Sequence, residues 1–196
     1  PLIFAIRSEN SKMAELLIEK GADPNLGTKS DGYPLWMAAR KGDIKLVRLL
    51  ISKGADVNTK FRGDGSALIQ AAKTSNLEMA KVLIELKAEV NMAVRGDGNP
   101  LIMASKSGSL EVVKYLVDKG AAINTEVRGD ETPLINASEQ GYLPIVKFLV
   151  DKGADVNQRC VEEVDGRIRV RTALKMARKK GHEDVVEYLK QKGATE

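Results

Sequence analysis

The sequence predicts an all-α solenoid made of helix-turn-helix units joined by β-hairpin turns. Three observations predict it. Equivalent openings stand at Pro1, Pro34, Ala67, Pro100 and Pro133, each 33 residues after the one before. Each opening leads into two apolar stripes at helical spacing, divided by a glycine or small polar residues. And no single unit has a second layer to bury those stripes against, so each needs copies of itself as neighbours.

The stretch from Asp97 to Asn124 shows the plan. Pro100 suits the first position of a helix, where its fixed φ is already helical and its missing N–H costs nothing. Leu101, Ile102 and Ala104 give that helix an apolar side, and Ser107-Gly108-Ser109 interrupts it. Leu110, Val112, Val113, Leu116 and Val117 form a wider stripe on a second helix. Gly120 ends it, as a residue free to adopt the left-handed conformation.

The units take the boundaries 1–33, 34–66, 67–99, 100–132, 133–172 and 173–196. The first is more polar on its outer side, with Glu9 in the column of Gly42, Gly108 and Gly141 and Ser11 in that of Ile44, Leu77, Leu110 and Leu143. That fits an N-terminal cap or a boundary with sequence before Pro1. The second unit carries the single tryptophan, Trp36, in a column otherwise filled by Ile3, Ile69, Ile102 and Ile135. It reads as a packing residue or as an anchor for a partner. In the third unit Lys87 stands in the Gly54/Gly120/Gly153 column, and Ser75 replaces the glycine between the helices. A side chain in the left-handed region costs on the order of 1 kcal/mol. The fifth unit is longer by an insertion, with a hairpin over 158–171. Asp165-Gly166 between two β-prone runs is a strong two-residue turn signal. It pairs Val164 with Arg167, Glu163 with Ile168, Glu162 with Arg169 and Val161 with Val170. The sixth unit reads as a C-terminal cap, because Lys175, Arg178 and Lys190 replace apolar or small residues where a seventh unit would pack.

Several segments resemble the ankyrin-repeat family. Thr132-Pro133-Leu134 is similar to its Thr-Pro-Leu opening, and Gly181-His182-Glu183-Asp184-Val185-Val186 to the start of its second helix. Gly54-Ala55-Asp56-Val57-Asn58 and Gly153-Ala154-Asp155-Val156-Asn157 resemble its unit ending, and a 33-residue period is the length of its repeat. The resemblance implies a concave partner-binding face lined by turn tips and first helices. Gly96–Ile102 and the elongated hairpin are also similar to ankyrin extensions of bacterial sensor-type membrane metallopeptidases. That would make the chain one domain of a larger, membrane-bound sensor or regulator. A designed or selected ankyrin binder would share the plan; Lys87 and the insertion favour a natural sequence.

The composition excludes several classes. Of 196 residues 43% are hydrophobic, 30% charged and 4% aromatic, and 31 Lys+Arg against 27 Asp+Glu leave a mild +4 that does not imply nucleic acid. Single-strand binding would also call for exposed aromatics among the basic residues. The lone Cys160 has no internal disulfide partner, so nothing points to an oxidising compartment and a cytoplasmic location is the expectation. No apolar run approaches the ~20 residues of a membrane helix. One His and one Cys in different units cannot build a zinc site, and no phosphate-cradling loop is present. No cofactor and no enzymatic activity are expected. Arg62, Arg95 and Arg128 each begin Arg-Gly-Asp, but the tripeptide recurs at the repeat period and reads as turn geometry. Its Asp residues, with Asp31 and Lys29 continuing the rows, are expected to exchange hydrogen bonds between adjacent turns. Asn136-Ala137-Ser138 fits a glycosylation sequon but falls on a helix.

Reading columns across the units locates the expected binding site. One first-helix column runs Arg7, Arg40, Lys73, Lys106, Glu139, Lys179; the next inward runs Phe4, Met37, Gln70, Met103, Asn136, Met176. A turn column holds Thr28, Phe61, Val94 and Val127 beside Lys29, Arg62, Arg95 and Arg128. Trp36, Met37, Arg40, Phe61, Arg62, Gln70, Lys73, Val94, Arg95, Met103, Lys106, Val127 and Arg128 are therefore the candidate partner-binding residues. The partner expected is another protein presenting an acidic, partly apolar segment, bound by a monomer.

Overall fold

A computed structural model describes residues 1–28, 32–61, 63, 65–164 and 167–195. The expectations for Lys29, Asp31, Arg62 and the Asp165-Gly166 turn fall outside the described residues. Among those residues the helices pair as α1 (Leu2–Arg7) with α2 (Ser11–Glu19), α3 (Pro34–Lys41) with α4 (Ile44–Ser52), and α5 (Ala67–Lys73) with α6 (Leu77–Glu85). They continue as α7 (Pro100–Ser107) with α8 (Leu110–Asp118), α9 (Pro133–Glu139) with α10 (Leu143–Asp151), and α11 (Ala173–Lys180) with α12 (Glu183–Gln191). Strands β1 (Cys160–Val164) and β2 (Arg167–Arg171) precede α11. The first helices stack in order from α1 to α11, and each second helix packs on its own first helix.

This stacking explains the composition of the two helix types. A first helix has a neighbour on either side and a second helix behind it, so Pro100 to Ser105 of α7 are all buried. Small residues let the helices approach, which is why Ala38, Ala39, Ala71, Ala72 and Ala104 are fully enclosed. A second helix buries only a stripe, such as Val112, Val113 and Leu116 of α8. Its exposed side carries mixed charge, with Glu78–Lys81 and Glu111–Lys114 paired at 2.7 and 3.1 Å. The first helices α5, α7, α9 and α11 begin on side-chain caps, where Ser66, Asn99, Thr132 and Thr172 accept the N–H groups of Ile69, Ile102, Ile135 and Lys175; α1 and α3 have none. Each such cap stabilises its helix by about 1 kcal/mol.

Neighbouring units are stitched by two polar ladders. The asparagine closing each unit, at 25, 58, 91, 124 and 157, accepts a backbone N–H from the next unit: that of Asp56, Glu89, Ala122, Asp155 and Thr195 respectively, at 2.8–2.9 Å. The same asparagines donate to the C=O of Gly54, Lys87, Gly120, Gly153 and Gly193. The second ladder runs through the turns, as the repeat spacing predicts. Asp97 accepts from Gly63 N–H and Asp130 from Gly98 N–H, both at 3.0 Å. The turn tips are each closed by a single bridge, Thr28–Gly32, Phe61–Gly65, Val94–Gly98 and Val127–Glu131.

Lys87 sits at φ 73°, the left-handed value of Gly54 and Gly120, so the second helix of this unit ends in the same way as its neighbours at a conformational cost. Glu9 and Ser75 likewise keep the positive φ of the glycines they replace. Lys175, Arg178 and Lys190 are exposed. The hairpin has the predicted register, Val164–Arg167 through Val161–Val170, and extends it to Cys160–Arg171. Glu162 and Arg169 are register partners without an ion pair among the described residues.

Candidate interaction surface

The basic column lies at the C-terminal ends of the first helices. Arg40, Lys73 and Lys106 occupy the last turns of α3, α5 and α7 and are exposed, as is Arg7 on α1. A cation there is favoured by the unpaired carbonyls of the helix end, so part of the column's basic character is accounted for by helix stability. The apolar residues of the expected site lie deeper. Met37, Gln70 and Met103 of the inward column are buried between successive first helices, and Trp36 on α3 and Val127 at a turn tip are buried as well. They form a floor beneath the cations. Phe61 and Val94 are half-buried, and Arg95 and Arg128 are exposed on the turn tips.

Trp36 is placed mainly as a packing residue. Its ring lies 5.5 Å from Phe61, which in turn meets Tyr33 edge-on at 6.1 Å. The Arg40 guanidinium covers it at 5.4 Å from the ring centre. This stack joins the first-helix and turn columns within one unit, which a column-by-column reading does not show.

Between α5, α7 and the turn tips lies a cavity of about 230 Å³. Ile69 and Met103 are its apolar lining, Lys73 and Lys106 its cations, and Asp97 and Asp130 its acids. Both carboxylates are engaged by backbone N–H groups of the turn ladder. The ladder therefore places negative charge beside the basic column. Ser107 links the two helices by donating to the C=O of Lys73 at 2.9 Å.

The column changes sign at Glu139, and the structure builds a cluster there. Arg171, at the end of β2, reaches Glu139 at 2.7 Å and Glu131 at 2.8 Å, and Lys180 approaches Glu139 at 3.7 Å. His182 places Nε2 3.0 Å from the Glu139 carbonyl oxygen, a structural contact. Glu131 was not singled out in the sequence. It has φ 57° in the column of Gly32, Gly65 and Gly98, and its side chain is buried. Burial holds its carboxyl above the ordinary range, with Arg171 opposing. The signal was the departure from glycine at this column. The thiol of Cys160, also buried, is pushed up to about 12, first by desolvation and then by Glu126. Asn136 of the sequon is buried and donates to the C=O of Asp130 and Thr132. No helix among the described residues is long and apolar enough to cross a membrane.

Paired helices stacked in one direction, with turn tips tied across the 33-residue period, define a repeat scaffold. The chain belongs to the ankyrin-repeat family. The family described as "Ankyrin repeats (3 copies)" matches residues 2–94 and 68–160, and "Ankyrin repeats (many copies)" matches 134–189. Among solved structures, the crystal structure of the human ASB11 ankyrin repeat domain is similar with a TM-score of 0.82 and 25% identity, over 100% of this chain and 84% of that one. The comparison with curated proteins gave no match. Ankyrin repeats typically serve as protein–protein interaction modules.

Proposed function

We propose that this chain is a non-catalytic, monomeric binding module of the cytoplasm, whose protein partner docks across the concave face. The observation that supports it is the exposed row Arg40, Lys73 and Lys106, with Arg40 over the Trp36 ring and the two lysines beside Ile69 and Met103. An acidic segment with apolar side chains complements that row, and its charge sets register and encounter rate more than affinity. Arg95 and Arg128 flank it on the turn tips.

The test is affinity capture with two versions of the chain, wild type and the triple variant Arg40→Glu, Lys73→Glu, Lys106→Glu. A protein captured by the first and lost by the second supports the concave face. Equal capture by both removes it. Repeating the capture over a salt series separates a protein partner from nucleic acid, whose affinity falls steeply with salt because bound counterions are released.

A further inference from the structure

Among the described residues, the outer edge of the hairpin is paired with no further strand. Val164 and Arg167 are bridged across a two-residue connection, and such a pair exchanges both its hydrogen bonds. Pairs then alternate. Glu162–Arg169 and Cys160–Arg171 also bond across the hairpin, while Glu163–Ile168 and Val161–Val170 point their N–H and C=O groups outward. Among the described residues the sheet has only these two strands, and no group bonds to the outward backbone of Ile168 or Val170. An edge of this kind can accept another strand.

The side chains along β2 select what that strand can be. Alternation puts Ile168 and Val170 on one face and Arg167, Arg169 and Arg171 on the other. Ile168 is 74% exposed and its neighbour on the same face, Val161, 56%. Arg171 is committed to Glu131 and Glu139, but Arg167 and Arg169 are exposed and make no ion pair among the described residues. At the base of β2 a cavity of about 330 Å³ is lined by Arg159, Val170, Thr172, Lys175 and Arg178. One face of the edge is apolar and the other cationic, with further cations where it meets the array.

We propose that the outer edge of β2 is a second binding site, which takes an extended protein segment alternating acidic and aliphatic residues as a third strand. Its carboxylates lie beside Arg167 and Arg169, and its aliphatic side chains beside Ile168 and Val170. A second copy of this chain fits poorly, because pairing β2 with β2 sets arginines against arginines, and like charges across a strand pair are destabilising. The site is separate from the basic column of the concave face.

The probe is a fluorescent synthetic peptide alternating glutamate and valine. The wild-type chain is expected to bind it saturably. Ile168→Pro removes only an outward N–H, so the hairpin ladder is kept. The variant is expected to keep the wild-type thermal midpoint and to bind at least about tenfold more weakly. Arg167→Glu with Arg169→Glu is expected to weaken binding about tenfold as well, through exposed side chains that the fold does not use. The peptide N-methylated at alternate residues is expected to lose binding to the wild type, an outcome that does not depend on how any variant folds. Failure of the wild type to bind, or equal binding by the N-methylated peptide, overturns the proposal. Loss of binding in Arg40→Glu, Lys73→Glu, Lys106→Glu with retention in the hairpin variants also overturns it, and leaves the concave-face reading standing. A wild-type dimer that Ile168→Pro converts to monomer overturns it in favour of self-pairing.

Discussion

The side chain of Asn91 takes the N–H of Ala122, in the following repeat, at 2.8 Å, and donates back to the Gly120 carbonyl at 3.0 Å. One amide side chain thus satisfies one donor and one acceptor of a loop that belongs to its neighbour. Asn91→Ala removes both bonds. Water can reach the site, since Asn91 is exposed, so the expected loss is about 1 kcal/mol of unfolding free energy rather than the larger cost of a sealed orphan. Urea denaturation measures it; an unchanged midpoint would mean that the ladder contributes order without stability.

Lys87 holds a left-handed conformation at φ 73° with its side chain exposed. Among the described residues its side chain makes no hydrogen bond or ion pair that would offset the cost. Lys87→Gly is expected to raise stability by about 1 kcal/mol. A midpoint that stays level or falls would show that the unfolded chain's gain in freedom cancels the relief.

Glu131 combines the same strain with a buried carboxylate. Arg171 keeps Glu139 if Glu131 is removed, so Glu131→Gly leaves no cation unpaired. The expected result is a gain of about 1 kcal/mol in global stability from the backbone alone. Faster amide exchange should appear in residues 160–171, where Arg171 has lost one of its two acidic partners. The pH dependence follows from the raised carboxyl. Its contribution to stability is fully present below the ordinary value of 4.5 and is lost as pH rises through the elevated value. Wild type minus Glu131→Gly, followed by thermal midpoints across the acid range, should show that loss. A difference that grows in the opposite direction would mean Arg171 outweighs burial.

Cys160 should be inert in the folded chain. With its thiol near 12, the thiolate present at pH 8 is about a thousandfold scarcer than for an exposed cysteine. A thiol-reactive dye is expected to label it only at the rate of unfolding. Rapid labelling of the native protein would show that β1 opens locally.

The period of 33 residues made the fold legible, because every unit repeats the same helix starts and stops. The hairpin register was legible for a similar reason, since Asp165-Gly166 between β-prone runs leaves one pairing. The depth of Met37, Gln70 and Met103 was not. A column shows that positions are equivalent, but not that the next helix covers them. Glu131 was hidden because a carboxylate in an exposed turn is ordinary, and only the approach of Arg171 from 40 residues later makes it buried and paired. The asparagine ladder was in view at constant spacing, yet its bonds run between backbone loops that the helical stripes do not mark.

The last rung of that ladder spans the insertion. Asn157 meets Gly193 and Thr195 at separations of 36 and 38 residues, where the other rungs span 29 and 31. The backbone contacts are otherwise the same, with the Thr195 hydroxyl as a further donor to Asn157. Seven additional residues have been accommodated at a tip without disturbing the joint behind them, which accords with the slow growth of loop-closure entropy with length. The array can therefore be treated as a mounting rail. Foreign segments grafted between Arg159 and Thr172 should leave the flanking repeats in register, and new recognition could be acquired there by lengthening or exchanging one finger.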